Sequence, residues 1–408
     1  MRPFWIQTGK KQLAVYMRPP LGLYLLEPDL VCKLNRSLYE LKQASRQWNT
    51  KLAASLTTAG YSQSKHDYSM FTKLSTTSFT VILVYVDDLV LSGDDLGEIN
   101  RIKHYLHDLY KIKDLGELKY FLGMKIARSR KGIAVCQRKH CLDLLQDYGM
   151  LDAKPASTPM DYTTHLSKKF GTLLASNSEY RRIIGRLLYL TNTKSEIAYA
   201  VSKLSQFLDC ATDKNFEAAL RVLKYLKGAL AKGLFFSATT DFTPSGFSDS
   251  DWATCSDSRR SVTGHCFFLG TSIISWKSKK QDTVAASSCE AEYRALASAT
   301  KDAQWLAYMM KELQIEQQKL IVIYCDSQSA LHIAVNPVYH ERTKHIEVDC
   351  HIARDKWQEG VTKLLPIASS EQTADILTKA LAPSMFKSCE SKLGLMDIHS
   401  PSLRGGVT

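Results

Sequence analysis

Two adjacent acids, Asp87 and Asp88, interrupt the apolar run FTVILVYVDDLVLSG, between a β-branched stretch that ends at Val86 and another that resumes at Leu89. The pattern reads as a strand, a tight acidic turn and a return strand. Burying neighbouring carboxylates in an apolar hairpin costs about 2 to 7 kcal/mol for each uncompensated polar group, which a divalent cation would offset. The competing reading is a solvated hairpin tip, where Asp is a common turn former.

Further acids come from separate stretches of the second half. Asp249 lies in the strand-like FSDSDW, and Asp326 follows the apolar strand Lys319 to Cys325. The end of such a strand is where an open sheet presents ligand-binding groups. Glu290 and Glu292 share one long helical segment, Ser287 to Leu313. At about 100° per residue, Ala295, Leu296, Ala299, Ala303, Leu306 and Met310 fall within about 60° of Glu292, and Glu290 lies about 160° away with Arg294 and Lys301. Glu292 is therefore expected to face a sheet, and Glu290 solvent. Asp375 follows a capping-box spacing, SSEQ, in an expected last helix from Glu371 to Leu381. Taken alone, an acid there also reads as a favourable charge on the helix dipole. Asp251 and Asp349 are expected to be peripheral.

The elements that must position these groups alternate in type. Apolar residues at helical spacing predict a helix over Glu98 to Tyr110, then strands over Tyr120 to Ala127 and Gly132 to Cys136, and a helix over Arg138 to Tyr148. Residues 151 to 177 are rich in Pro, Ser, Thr and Lys and read as an irregular connection. Helical spacing returns between Ile183 and Leu226, with Arg181, Arg186, Arg221 and Lys224 interspersed. Those cations read either as ordinary solvated faces or as a track along a nucleic-acid backbone. After the polar break SATTDFTPSG come three strand-like runs, the long helix, and alternating strand and helix, which describe a mixed sheet flanked by helices.

Composition bounds the partners. Lys and Arg number 53 against 41 Asp and Glu, giving a formal charge of +12 and a pI near 9.1. A polyanion, nucleic acid first, is the expected partner. No apolar run approaches the ~20 residues that span a membrane, and no stretch looks like a signal peptide. Ten cysteines carry no C-x-x-C pair and read as reduced core residues of an intracellular protein.

Tyr85-Val86-Asp87-Asp88 on a hairpin resembles the metal-binding turn of reverse transcriptases. Together with VCKLNRSLYELKQASRQWNTKL (Val31 to Leu52) and DLGELKYFLGMKI (Asp114 to Ile126), it resembles the polymerase region of copia-type LTR retrotransposon polyproteins. The order of elements after residue 240 resembles the ribonuclease H fold, with AEYRAL placing Glu292, and ADILTK placing Asp375, at metal-site positions. The resemblance runs from Val15 to Leu395. It implies an α/β and α+β multidomain chain: a partial palm over 1–150, a thumb- or connection-like helical region over 151–240, a ribonuclease H domain with a mixed five-stranded sheet over 241–393, and a tail over 394–408. It further implies that Asp87 and Asp88 serve a polymerase metal site and that Gln43 and Arg46 touch template and nucleotide. Asp249, Glu292, Asp326 and Asp375 would hold two Mg²⁺ or Mn²⁺ ions to cut RNA in an RNA-DNA hybrid.

Three departures shape the expectation. The family carries a first polymerase Asp upstream of the VYMRPP-like segment, but MRPFWIQTGKKQLA has no acid, and Asp29 lies on the wrong side. Glu40 stands where the family has Gly, adding charge towards phosphate. The loop Pro366 to Ser370 lacks the mobile His of many ribonucleases H, as copia-type enzymes do. The expected outcome is a nuclease on hybrid and primer-template nucleic acid, with polymerase activity lost, acting in the cytoplasm or nucleus; the alternatives are a catalytically silent nucleic-acid-binding remnant, or an RNA-directed DNA polymerase rescued by a partner subunit that supplies the absent Asp.

Overall fold

The computed structural model describes residues 16–17, 30–34, 41, 44–315, 320–335 and 347–398, the side chains of 347–351 excepted. The chain forms two compact units. One holds the residues up to Glu117 together with 312–314, and the other holds the remainder from Leu118.

The first unit opens with a short ladder, β1 (Tyr16–Met17) against β2 (Cys32–Lys33), followed by α1 (Ala44–Thr58). β3 (Ser62–Gln63), β4 (Met70–Leu74), β5 (Phe79–Tyr85) and β6 (Asp88–Gly93) form an antiparallel sheet in that order, and α2 (Leu96–Tyr110) follows. β5 buries Thr80, Ile82 and Val84 and leaves the intervening residues more exposed, the alternation of a strand covered on one face. Ile82 and Val84 join Leu52 and Leu56 of α1 and Ile102 and Leu106 of α2 in one core. α2 begins where Asp95 accepts the Glu98 N–H and ends where Lys111 turns left-handed at φ 55.

The second unit runs through β7 (Tyr120–Phe121), β8 (Met124–Ser129), β9 (Gly132–Cys136) and α3 (Arg138–Asp147). The irregular connection leads to α4 (Ser178–Leu190), α5 (Ala198–Leu204) and α6 (Asp213–Gly228), then β10 (Lys232–Ser237). β11 (Pro244–Asp251), β12 (Val262–Leu269) and β13 (Ser272–Lys280) precede the long α7 (Ser288–Glu312). β14 (Ile321–Cys325), α8 (Gln328–Val335), α9 (Glu347–Gln358), β15 (Thr362–Pro366), α10 (Pro383–Lys392) and β16 (Met396–Asp397) complete it.

Two five-stranded sheets result. In the first, ordered β16-β10-β9-β8-β7, β10 is a strand that helical and turn signals left unassigned, and β16 comes from the expected tail. The second is the ribonuclease H-like mixed sheet, ordered β13-β12-β11-β14-β15, antiparallel across β11 to β13 and parallel across β11, β14 and β15. α7 lays Leu296, Ala299, Ala303, Leu306 and Met310 against Phe267, Ile321, Ile323 and Leu364 of that sheet, the apolar stripe its periodicity predicts. Leu187, Val201 and Leu223 of the preceding helices share a second core with Cys266, Ile273, Leu377 and Phe386.

One expected element is corrected. The helix anticipated over Glu371 to Leu381 is two 3₁₀ turns, Ser369–Glu371 and Thr373–Leu377, and the helix proper is α10. Pro383 sets the start of α10, because the residue before a proline is driven out of the helical region. Ala382 sits at φ −60, ψ 151, and Pro383 starts a new helix. All described cysteines are free thiols, six of them buried.

Candidate metal centre

The acidic hairpin of the first unit forms as the strand, turn and return strand that its sequence predicts. β5 and β6 pair as far as Tyr85 with Asp88, leaving Val86 and Asp87 as a two-residue turn with Val86 at φ 49. Asp87 and Asp88 are exposed. The hairpin itself therefore buries neither carboxylate, because the ladder carries its tip past the apolar core. Trp48 of α1 holds that tip by donating its indole N–H to the Val86 carbonyl at 2.7 Å, and packs edge-on against Tyr110 at 5.1 Å. Arg46 is exposed on the same helix. Gln43, Asp29 and the acid-free segment before Val15 lie outside the described residues.

The second unit brings four acids together. Asp249, 3 % exposed, sits near the end of β11, and Glu292, 9 % exposed, reaches it from the first turns of α7. Asp326 follows the last residue of β14, which lies parallel to β11, so both acids stand at the strand ends of one crevice. Asp375, also buried, arrives on the second 3₁₀ turn. That turn reaches the sheet because the cross-strand partner of Asp249 is Gly264. A Cβ on Gly264 would come within 2.5 Å of Thr378 Cγ2 and 2.9 Å of Leu377 Cβ. A glycine inside a strand pattern is the signal for such close approach, and TGHCFFL carries it.

The electrostatics follow from this crowding. Burial, and then the Asp249 charge, push Glu292 well above the usual carboxylate range, and the same two causes raise Asp375. Glu292 keeps one oxygen on the Ser250 N–H at 3.1 Å. Lys379 supplies a cation, 2.8 Å from Asp375 Oδ1 and 3.8 Å from Asp249 Oδ2. Burial opposes its charge, and Asp249, Asp375 and Asp326 more than offset that effect, raising its pKa. Thr378 donates its hydroxyl to Asp249 Oδ2. Asp251, expected to be peripheral, is buried beside this group, accepts from Thr254, and is pushed up to about 6, chiefly by burial. Lys379, Thr378 and Asp251 were not singled out by spacing, although all three lie in the quoted FSDSDW and ADILTK segments.

Four acids against one ammonium leave a surplus of negative charge in a largely buried crevice, which is what hard divalent cations offset. The donor set fits, being almost wholly carboxylate oxygen. Glu292 and Asp326 also offer ligand atoms within 4.8 Å of each other and of the Cys325 thiol.

Glu290 is a correction. It is 4 % exposed, with Arg294 Nη2 at 2.5 Å and the Ala286 N–H donating to it at 2.8 Å. The helical wheel gives its azimuth correctly, but the segment leading into α7 folds over that side.

The four cations proposed for nucleic acid lie on α4 and α6. Arg181 pairs with Asp209 at 3.1 Å, Arg186 pairs with Asp147, Arg221 donates to Thr158 at 3.1 Å, and Lys224 is exposed. The exposed Arg181–Asp209 pair is worth about 0 to 1 kcal/mol and leaves Arg181 exchangeable towards phosphate, whereas Arg186 and Arg221 are half-buried.

The first unit thus carries an exposed acidic hairpin, and the second a cluster of four acids at the strand ends of a mixed sheet. Residues 6–162 match the family model described as reverse transcriptase (RNA-dependent DNA polymerase). The chain is 40 % identical over 382 residues to the retrovirus-related Pol polyprotein from transposon RE1 of Arabidopsis thaliana, covering 93 % of this chain and 26 % of that protein. It is 36 % identical over 398 residues to the corresponding polyprotein from transposon TNT 1-94 of Nicotiana tabacum, covering 95 % and 30 %. An uncharacterized mitochondrial protein of Arabidopsis thaliana is 40 % identical over 224 residues, with 93 % of its length covered. Among solved structures, the foamy viral protease-reverse transcriptase in complex with RNA/DNA hybrid aligns at TM-score 0.44 and 11 % identity, over 83 % of this chain and 39 % of that one. The chain belongs to the copia-type retrotransposon Pol family. It spans between a quarter and a third of the length of the Pol polyproteins it matches.

Proposed function

We propose that residues 241–393 form a metal-dependent ribonuclease that cuts the RNA strand of an RNA-DNA hybrid, and that these 408 residues by themselves do not extend a primer. The observation that carries this reading is the convergence of Asp249, Glu292, Asp326 and Asp375 from four elements at the strand ends of a ribonuclease H-like sheet. These acids would hold two Mg²⁺ or Mn²⁺ ions. Bound there, such ions supply an activated water and stabilise the charge of the leaving oxygen.

The chain's own residues divide the remaining work. Glu292 is fixed by the Ser250 N–H and Asp249 by the Thr378 hydroxyl, so both carboxylates are oriented before any ion or substrate arrives. Lys379 bridges Asp249 and Asp375 and limits their repulsion in the ion-free state. The Arg and Lys side chains of α4 and α6 offer backbone contacts, which would suit recognition by shape and 2′-hydroxyl in preference to sequence. Among the described residues of the first unit, Asp87 and Asp88 are the acids that the reverse-transcriptase resemblance assigns to metal, and phosphoryl transfer needs carboxylates from more than one strand.

The test is cleavage of a labelled hybrid in Mg²⁺ and in Mn²⁺ by the wild-type chain and by Asp249→Asn, with primed template and nucleotides in parallel. Cutting that Asp249→Asn abolishes, without extension, is the expected result. A well-folded wild-type chain that cuts nothing would overturn the nuclease reading, and extension would overturn the polymerase one.

A further inference from the structure

The parallel strands β11 and β14 pair from Ser245 with Val322 only as far as Phe247 with Tyr324. Beyond that point β14 ends at Cys325, while β11 continues through Ser248 and Asp249. One side chain makes polar contacts with both Ser248 and Asp326. Gln372, 1 % exposed and standing between the two 3₁₀ turns, donates its amide to the Ser248 carbonyl at 2.9 Å and reaches Asp326 Oδ1 at 3.5 Å. Its own carbonyl oxygen accepts the Ala374 N–H at 3.2 Å. Ser248 precedes Asp249 in the chain and Ala374 precedes Asp375, so one amide touches the backbone beside two acids and the carboxylate of a third.

We propose that Gln372 is a positioning residue that sets the spacing of Asp249, Asp326 and Asp375 and thereby tunes the affinity of the centre for divalent cations. The inference rests on the metal-site reading above. Only a carboxamide serves here. The donor end must meet two oxygens, and the acceptor end must meet an N–H, whereas a carboxylate would place an acceptor against the Ser248 carbonyl and Asp326. An apolar side chain of similar length fills the volume but leaves the buried Ser248 carbonyl and Ala374 N–H without their partner. Groups that orient metal ligands typically change affinity by about 10- to 100-fold when removed.

The experiment titrates Mn²⁺ into the full chain and follows the electron paramagnetic resonance signal of the free ion. It compares wild type, Gln372→Met, Gln372→Ala and Asp249→Asn, with circular dichroism and melting in EDTA as the folding control. The expected result is Mn²⁺ binding that Asp249→Asn removes and that Gln372→Met weakens by about 10- to 100-fold. Hybrid cleavage by Gln372→Met should recover at saturating Mn²⁺ with an unchanged KM for the hybrid. Unaltered Mn²⁺ affinity in a folded Gln372→Met chain, beside loss in Asp249→Asn, would overturn the positioning role while leaving the metal site intact. Wild-type binding insensitive to Asp249→Asn would remove the metal-site reading, and the role of Gln372 with it. If both Gln372 variants are unfolded in EDTA, Gln372 is a folding residue and the positioning role is rejected.

Discussion

The crowded carboxylates make a prediction whose two halves have opposite signs. In the ion-free chain, burial and Asp249 hold Glu292 and Asp375 above their ordinary values. Through the interval between the ordinary and the raised values, the native state keeps protons that the unfolded chain has released. Stability in EDTA is therefore fully present below the ordinary carboxyl range and declines as pH rises towards the raised values. Each retained proton is worth at most about 1.4 kcal/mol per pH unit, so one of them costs at most about 2.7 kcal/mol between pH 6 and pH 8. That corresponds to a fall in Tm of about 5 to 10 °C for a unit of this size. Glu292→Gln keeps the shape and the acceptor for the Ser250 N–H but removes the ionisation. It should flatten the pH slope in EDTA and melt above wild type at pH 8. The same substitution should abolish stabilisation by Mn²⁺, which for wild type amounts to about 2.7 kcal/mol at one hundred times Kd. The assay is thermal melting at pH 6, 7 and 8, with EDTA or Mn²⁺, for both chains. A wild-type chain whose Tm in EDTA does not change between pH 6 and 8, or a Gln variant that melts below wild type at pH 8, would refute the electrostatic reasoning.

Other consequences are local. Val86 is a β-branched residue at φ 49 and is 57 % exposed, so Val86→Gly should relieve about 1 to 2 kcal/mol of strain. The added freedom of the unfolded chain returns about 0.4 to 1 kcal/mol of that, and urea denaturation should show a net gain of about 0.5 to 1 kcal/mol. Destabilisation would mean the turn does not hold this conformation in solution. Glu196 is 1 % exposed, and burial raises its pKa despite the neighbouring Lys194 charge. Its contribution is present below the ordinary carboxyl value and lost as pH rises, so Glu196→Gln should be near neutral at pH 5 and stabilising at pH 8. Equal losses at both pH values in a melting assay would contradict this.

Much of the framework was legible because it is periodic. The alternation in Phe79–Tyr85 and the stripe from Leu296 to Met310 report which face of one element is covered, and both cores use those faces. The choice of Glu292 over Glu290 as the inward acid rests on the same periodicity, and Glu292 does reach the sheet. Periodicity has a limit, however, since it fixes an azimuth and says nothing of what covers it. Glu290 points away from the sheet and is buried all the same, under the segment that precedes its helix and beside Arg294. Lys232–Ser237 pairs with a strand about a hundred residues upstream, a partner that its own segment does not announce.

The environment of the candidate centre is the part least visible in any single stretch, because it depends on distances between elements. Asp375 reaches Asp249 because Gly264, on the strand beside that of Asp249, leaves room for the turn that carries it. Pro383 holds Ala382 extended and starts α10, so the turn that carries Asp375 is separate from that helix. Lys379 then falls four residues beyond Asp375, where its ammonium meets two of the acids at once. Each of these residues is unremarkable in its own segment: a strand glycine, a proline after an apolar run, a lysine near a helix start. Their joint effect is to hold several carboxylates closer together than water alone would allow. The chemistry of the centre therefore resides in the packing of the segment Ser369–Leu377 onto β11 and β12, as much as in the acids themselves.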